Sequence, residues 1–259
     1  MLSFAKRETY EIKLLLQSVP APVLTVFSVS VIVMNLLANK SADLPVSWLA
    51  LDCGIIVSWV SFLSMDVITK HFGPKAATQL SVAAAVFNLL TCLIFFAASR
   101  IPGAWGESYS ATTAEGANTV NAALDATFGG TWYVLLGSTV AFITSAAVNN
   151  FINFAIGGLA KKKPDGFAAY ALRTYFSTAV GQFTDNMVFA LIVGRVFFGW
   201  SMLQCVTCSA VGMAAELICE VIFSPIGYAV CKKWKKENVG SAYLEYRATL
   251  ISGKGNAKA

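Results

Sequence analysis

Charged residues are scarce in this chain. Only 13% of its 259 residues are Asp, Glu, Lys or Arg, whereas about 25% is usual in a soluble domain, and 56% are hydrophobic. The sequence has a single histidine and lacks the Walker A, G-x-S-x-G and H-E-x-x-H patterns. These absences argue against a soluble domain, nucleotide hydrolysis and those hydrolase chemistries. We expect a protein that is not an enzyme, holds no metal or other cofactor and binds no nucleic acid.

Long apolar runs take the place of the missing charge. Each is about 20 residues long, enough to cross a hydrocarbon core of about 30 Å. The runs are continuous rather than alternating, which favours helices over a β-barrel. We predict an all-α, multi-pass protein of a bacterial cytoplasmic membrane, with one transporter domain over residues 1–259. The six predicted spans lie near Pro22–Ala38, Trp48–Ile68, Ala76–Ser99, Thr131–Leu159, Tyr175–Phe198 and Met202–Cys231.

The basic residues are distributed unevenly around these spans. In a six-span chain, 16 Lys and Arg fall on the side of the termini and 3 on the other. The positive-inside rule then places both termini in the cytoplasm. Residues 232–259 form a basic cytoplasmic tail. Residues 1–17 are read either as an interfacial helix or as an ordered cytoplasmic leader.

The longest predicted loop is Arg100–Gly130, on the external side. It contains "NTVNAALDATF", which suits a short surface helix, and the loop is read as a lid or as a plain connector. The loop joins three spans to three, and Ser58–Asp66 and Ser177–Asp185 are both eight residues apart. This spacing is compatible with an inverted repeat of three plus three helices.

Polar residues inside the spans point to function. A charge at the bilayer centre costs about 2.5–3.5 kcal/mol on insertion scales, so such groups usually line a site or a path. Asp185 lies about 15 Å into the fifth span, and Gln182 and Asn186 flank it at helical spacing and are expected to share its face. Glu216 and Glu220 are one turn apart in the sixth span, so the two carboxyls are not both expected to ionise unless a cation lies between them.

Other polar residues allow a second interpretation. In the second span, Asp52, Trp59 and Asp66 follow at steps of seven, an arrangement suited to a flat heteroaromatic ligand, although Asp52 also fits a watery interface. Asn88 and the other amides are also compatible with hydrogen bonds that only join helices. His71 is expected to be a solvated loop residue. Cys205 and Cys208 are expected to be small packing residues.

Five motifs occur in an order and spacing that resemble a known family, the queuosine-precursor transporters, also called the vitamin-uptake-like family. The resemblance covers most of the chain and implies six helices and uptake of 7-deazapurine bases. The motifs are "NLLANK" (35–40), "SMDVITKHFGPKAA" (64–77), "FGGTWYVLLGSTVAF" (128–142), "STAVGQFTDNMVF" (177–189) and "EVIFSPIGY" (220–228).

The resemblance also implies roles for individual residues. It matches Asn35, Asp66, Arg173, Gln182 and Asp185 to polar positions of the family motifs. The chain departs from the family pattern at other polar positions, so the resemblance alone does not fix the substrate. These departures are Lys70, Tyr133, Ala146, Asn149 and Glu216, together with Ser58 and Trp59.

Our first hypothesis is therefore an importer of a small planar nitrogen heterocycle, with a queuosine precursor as the family's substrate. Asp185 and Asp66 would accept hydrogen bonds from N–H groups of the base. Gln182 would bind a carbonyl or amino edge of the base, and Trp59 would stack on its ring. Glu216 and Glu220 would couple protonation to transport. The predicted substrate-binding residues are Asn35, Trp59, Asp66, Asn149, Arg173, Ser177, Gln182, Asp185 and Glu216.

The alternative is a substrate-binding subunit of an energy-coupling-factor importer, which needs an ATPase module as its partner. Such subunits often dock through an A-x-x-x-A surface on the first helix, and here that span is bulky throughout. This favours solitary transport. The sequence leaves open a homodimer or an energising ATPase module.

Overall fold

A computed structural model of the chain describes residues 2–42, 44–159 and 167–252. The side chains of residues 2–4, 66, 146, 147, 149–159, 167–175, 177, 178, 220 and 224 lie outside this description. Helices dominate the described part. They are α1 (Leu2–Ser18), α2 (Ala21–Leu37), α3 (Ile55–Phe72), α4 (Pro74–Ala98), α5 (Ala114–Leu159), α6 (Phe167–Phe189), α7 (Arg195–Phe197), α8 (Met202–Lys236) and α9 (Ser241–Ile251).

Several of these helices meet the requirements for membrane spans. Within the described residues, four are long and apolar enough to cross a bilayer, since their apolar side chains can face lipid while the helix satisfies its own backbone. A fifth candidate is the pair of α1 and α2, which meet at 109°. The predicted all-α multi-pass class is thus confirmed, and the count of six spans stays a prediction. The four helices are Ile55–Phe72, Pro74–Ala98, Ala114–Ser145 and Met202–Phe223.

The predicted long external loop is wrong in its extent. Helix α5 begins at Ala114 and runs without a break through residues 118–128, so these residues are part of a long helix and not the predicted short surface helix. The connection between α4 and α5 therefore contains only residues 99–113, including a short 3₁₀ helix at Gly106–Ser110. This connection is held against the first turns of α5, because Trp105 donates its indole N–H to Asp125 at 2.7 Å and stacks on Phe128.

The start of the second predicted span is also wrong. Residues Leu51–Asp52 form a strand, β2, that pairs antiparallel with β1 (Ser41–Ala42), and helix α3 starts only at Ile55. Asp52 is therefore not on a helical stripe with Trp59 and Asp66. Its side chain instead accepts the Gly54 N–H at 2.8 Å, a local bond that competes with helix formation.

The chain folds as two compact units, to each of which helices α2, α3, α4 and α8 contribute residues. The first unit comprises Met1–Ile32, Val57–Phe87 and Glu220–Ala259. Its core combines residues from both ends of the chain with residues from α3 and α4. The buried members include Leu15, Phe27, Ile68, Phe72, Leu80, Trp234 and Tyr243.

A buried charge cluster joins three helices of this first unit. Glu11 of α1 is fully buried, and its carboxylate pairs with Lys75 Nζ of α4 at 2.9 Å and with an Arg247 guanidinium nitrogen of α9 at 3.2 Å. Gln79 belongs to the same network, since it donates to Glu8 at 3.2 Å and accepts from the Tyr243 hydroxyl at 3.5 Å. The leader segment is thus a helix packed against α9.

His71 is not a solvated loop residue, and that expectation is wrong. It lies in the last turn of α3, half-buried, with Nε2 2.9 Å from the backbone oxygen of Val239. Its ring meets Phe72 and Trp234 edge-on. The aromatic cluster explains the burial of a residue that follows Lys70 directly in the sequence.

The second unit comprises Val33–Ile56 and Asn88–Cys219. One of its cores gathers Ala50, Ala190, Trp200, Cys205 and Cys208, so the two cysteines pack as small side chains, as expected. A second, smaller core contains Ala38, Val134 and Val193. The residues that follow α6 form a π-helical turn, Ala190–Gly194, between these cores.

Candidate functional site

Helix α6 of the second unit carries the polar group at the heart of the sequence prediction. Gln182, Asp185 and Asn186 lie in its last two turns, before the π-helical turn. Successive residues of an α-helix point about 100° apart, so Asp185 and Asn186 can reach different neighbours. The structure shows this divergence, and it corrects the expectation that the two side chains share one face.

Asp185 faces helix α5. One of its carboxylate oxygens accepts a hydrogen bond from the Ser145 hydroxyl at 2.9 Å. The described side chains, which do not include that of Arg173, provide no ion pair for Asp185. A neutral hydroxyl leaves most of the acceptor capacity of a carboxylate unused, because its two oxygens have about four lone-pair sites. Asp185 can therefore accept further N–H groups.

Asn186 faces helix α8. Its amide nitrogen donates to Glu216 Oε2 at 3.4 Å, and Glu216 is buried. Gly212, one turn before Glu216, makes room for the amide, since a Cβ there would lie 2.8 Å from Asn186 Nδ2. The absence of a side chain at Gly212 thus lets α6 and α8 approach at this polar contact.

Gln182 lies one turn before Asn186 and is buried. Its side-chain oxygen has no hydrogen-bond partner among the described residues. A buried acceptor without a donor costs about 1–3 kcal/mol, so native proteins rarely keep one without a reason. The free oxygen of Gln182 is an acceptor available to a ligand N–H.

Asn88 is a second buried amide with unmet hydrogen bonds. It lies in α4 with 1% of its surface exposed, and neither its nitrogen nor its oxygen has a partner in the described part of the chain. In the sequence it was one of several amides that suit helix joining. Gln79 in the same helix does join helices, whereas Asn88 makes no such bond to the described residues, and the sequence pattern offers no signal that separates them.

The structure also describes two other predicted residues, Asn35 and Trp59. Asn35 is buried near the end of α2, in the second unit. Trp59 belongs to the first unit, where its ring stacks on Phe223 with centroids 4.4 Å apart and planes 15° apart. One face of the indole is thus covered by the chain itself and is closed to a ligand.

The remaining predicted residues cannot be placed by their side chains. Asp66, Asn149, Arg173, Ser177 and Glu220 lie outside the described side chains. Their roles stay predictions. Among the residues that are described, no three His, Cys, Asp or Glu side chains group together as metal ligands.

Tyr133 is a residue whose contact the sequence did not predict. Its hydroxyl donates to the backbone oxygen of Ile192, inside the π-helical turn, at 3.2 Å. Gly137, one turn further along α5, packs directly against Val193 and Ile192. A π-turn within a helix leaves carbonyls in altered positions and often marks functional segments. Here it lies immediately after the polar residues of α6.

Residues 52–230, about two thirds of the chain, match the family described as "Putative vitamin uptake transporter". The chain belongs to this family. No curated protein and no solved structure matches the chain. Membership of a transporter family agrees with the apolar helices and makes this a multi-pass membrane transporter.

The region shared with the vitamin uptake transporters contains the whole polar group of the second unit. Asn88, Gln182, Asp185, Asn186 and Glu216 all fall within residues 52–230. The buried ion pair of Glu11 with Arg247 falls outside it at both ends. The part of the chain that defines the family thus contains both amides, Asn88 and Gln182, whose buried polar atoms lack hydrogen-bond partners among the described residues.

Proposed function

We propose that this transporter imports a small planar nitrogen heterocycle across the bacterial cytoplasmic membrane, with a queuosine precursor such as 7-cyano-7-deazaguanine or 7-aminomethyl-7-deazaguanine as its substrate. The observation that carries the proposal is the polar group of α6. Asp185 meets only a neutral hydroxyl among the described side chains, and Gln182 keeps a buried free oxygen nearby. Both are acceptors, so the group suits a ligand that presents N–H donors.

The chemistry of these residues favours a heterocycle over an organic anion. An anion would add negative charge next to Asp185, and like charges repel strongly in a medium of low dielectric constant. A neutral base with ring and exocyclic N–H groups satisfies both acceptors without that repulsion. Asn186 and Glu216 would hold α6 against α8 while the ligand occupies the site.

The proposed arrangement in the membrane is compatible with transport through a central site. Six spans with both termini in the cytoplasm, arranged as an inverted repeat within one domain, would place Asp185 near the middle of the bilayer. Glu216 and Glu220, one turn apart on α8, would couple the uptake of a proton to that of the substrate. Arg173, Ser177, Asn149 and Asn35 would complete the binding site in the second unit, and Asp66 and Trp59 stay predicted substrate-binding residues of the first unit.

The test uses a bacterial strain that neither synthesises nor imports queuosine precursors. The chain is expressed in it, 7-cyano-7-deazaguanine is supplied at nanomolar to micromolar concentration, and queuosine in transfer RNA is quantified. We expect queuosine to be restored by the wild type. Asp185→Asn should lose it at equal membrane abundance, because the amide has one acceptor oxygen and adds donors that face the ligand's donors. Glu115→Gln, an exposed acid-to-amide change in α5, serves as the matched control and should retain uptake.

Two results would contradict the proposal. Absence of queuosine with the wild type correctly inserted in the membrane would exclude this substrate. Uptake by Asp185→Asn at the wild-type rate would exclude the site. Restoration that requires an added ATPase module would favour the energy-coupling-factor alternative over solitary transport.

A further inference from the structure

Asn88 lies on a stripe of α4 that faces away from the apolar surface. Ala84, Asn88 and Cys92 follow one another at intervals of four residues, and each is at most 2% exposed. Their neighbours Phe87 and Leu90 are about half exposed, at 50% each, as expected for side chains in contact with lipid. Asn88 is thus turned into the protein, on the side of α4 opposite its exposed apolar side chains.

Within the described part of the chain, the amide of Asn88 does not join its helix to another. In that role its nitrogen or its oxygen would be paired across to another helix, as the Asn39 amide is with the Thr131 hydroxyl at 3.5 Å. Both polar atoms of Asn88 instead lack a partner among the described residues. A leucine, with the same branching and no polar atoms, would avoid the cost of two unpaired buried groups, so stability alone does not account for an asparagine here.

We propose that Asn88 is a further substrate-binding residue, whose carboxamide pairs with a donor–acceptor edge of the transported heterocycle. This inference rests on the proposed function and defines the substrate class more closely. A carboxamide offers an acceptor and a donor side by side in one plane. Its complement is a lactam or amidine edge, in which a ring N–H or amino group stands beside a carbonyl or ring nitrogen; asparagine reads adenine in the same bidentate way.

The carboxamide of Asn88 distinguishes such a heterocycle from ligands that have only acceptors or only donors. A carboxylate has only acceptors and would leave the Asn88 oxygen unpaired. An alkylammonium ion has only donors and would leave the nitrogen unpaired. The free Gln182 oxygen also requires a donor from the ligand. The two buried amides therefore select a neutral planar ring with both donors and acceptors on its edges.

The test sets the thermal stability of the ligand-free protein against its transport. Asn88→Leu removes two unsatisfied buried polar atoms and keeps the branching of the side chain. We expect its melting temperature in detergent to equal or exceed that of the wild type, while uptake of 7-cyano-7-deazaguanine falls at least tenfold through a raised KM. Asn39→Leu is the matched control. It removes an amide that is hydrogen-bonded to Thr131 and to the backbone of α2, so its melting temperature should fall.

Two outcomes for Asn88→Leu would overturn the inference. A melting temperature lowered as in Asn39→Leu would mean that Asn88 has a structural partner. Unchanged uptake would mean that the ligand does not touch it. Failure of the proposed function is recognised separately and first, because the wild type itself would then show no uptake. This inference would fall with it.

Discussion

The hydroxyl of Tyr133 and the backbone oxygen of Ile192 are 3.2 Å apart, and their hydrogen bond joins helix α5 to the π-helical turn that follows the polar residues of α6. The Tyr133 ring is also held edge-on against Phe197, with centroids 5.1 Å apart. The turn is packed from another side by Trp200, whose ring lies against Gly194. These contacts fix the end of the helix that carries Asp185 and Asn186.

Removal of the Tyr133 hydroxyl should therefore loosen this turn. We expect Tyr133→Phe to destabilise the protein by about 1 kcal/mol, the usual net value of a hydrogen bond. Amide hydrogen exchange should accelerate over residues 190–198 and stay unchanged in α9. Tyr109→Phe, which alters a tyrosine that is 80% exposed, is the control. Equal exchange in the wild type and Tyr133→Phe would show that the hydroxyl does not hold the turn.

Gly212→Ala should separate Asn186 from Glu216. The new methyl group would lie 2.8 Å from Asn186 Nδ2 in the present geometry, too close for any ordinary contact. We expect uptake to fall at least tenfold although alanine favours a helix over glycine. Gly130→Ala in α5, where a Cβ meets no atom within 4 Å, is the matched control and should keep or raise stability. Full uptake by Gly212→Ala would show that the Asn186–Glu216 contact is dispensable.

The pair of the fully buried Glu11 with the partly buried Arg247 should contribute more to stability than an exposed pair. Removing one partner of a buried ion pair costs about 3–5 kcal/mol, whereas exposed pairs contribute about 0–1 kcal/mol. We expect Arg247→Met to lower the melting temperature strongly. A double-mutant cycle with Glu11→Gln should give a large coupling energy.

The matched pair for this cycle is Lys233 and Glu237, 4.0 Å apart with side chains 71% and 52% exposed. Lys233→Met and Glu237→Gln should leave the melting temperature nearly unchanged. If the two cycles gave similar coupling energies, the buried location of Glu11 would have no energetic consequence.

Asp52 should make stability depend on pH. Burial raises the pKa of its carboxyl to about 6, against the hydrogen bond from Gly54, which lowers it. Because this pKa exceeds the ordinary value of 3.8, the folded protein holds the proton more tightly than the unfolded chain. The stabilisation is complete below about pH 4 and is lost as the pH rises towards 6. Melting curves of the wild type and Asp52→Asn should therefore diverge over this range, and parallel curves would contradict the assignment.

The sequence predicted the helical class well, because long apolar runs have few alternatives in a membrane. The prediction from sequence failed where a helical segment has the composition typical of a loop. Residues 114–130 are rich in small polar side chains and contain two adjacent glycines, yet they belong to α5. Gly129 is packed against Ser99, so a distant contact compensates for its low helix propensity. Such contacts between helices cannot be read from a local pattern.

The candidate site was predictable only in part. Asp185, Gln182 and Glu216 stand out because charged and large polar groups are costly in a bilayer. Ser145 and Gly212 do not, since single serines and glycines are common in membrane helices and their partners are 40 and 26 residues away in sequence. The unmet hydrogen bonds of Asn88 likewise appear only once its surroundings are known.

The fully buried Tyr243 of α9 has a practical consequence for work with this protein. A truncation at Lys236 looks harmless in the sequence, because it removes only a basic tail. It would in fact open the hydrophobic core of the first unit and strip Glu11 of its arginine. Shortened expression clones ending there should aggregate, and affinity tags are better attached beyond residue 252 than in place of α9.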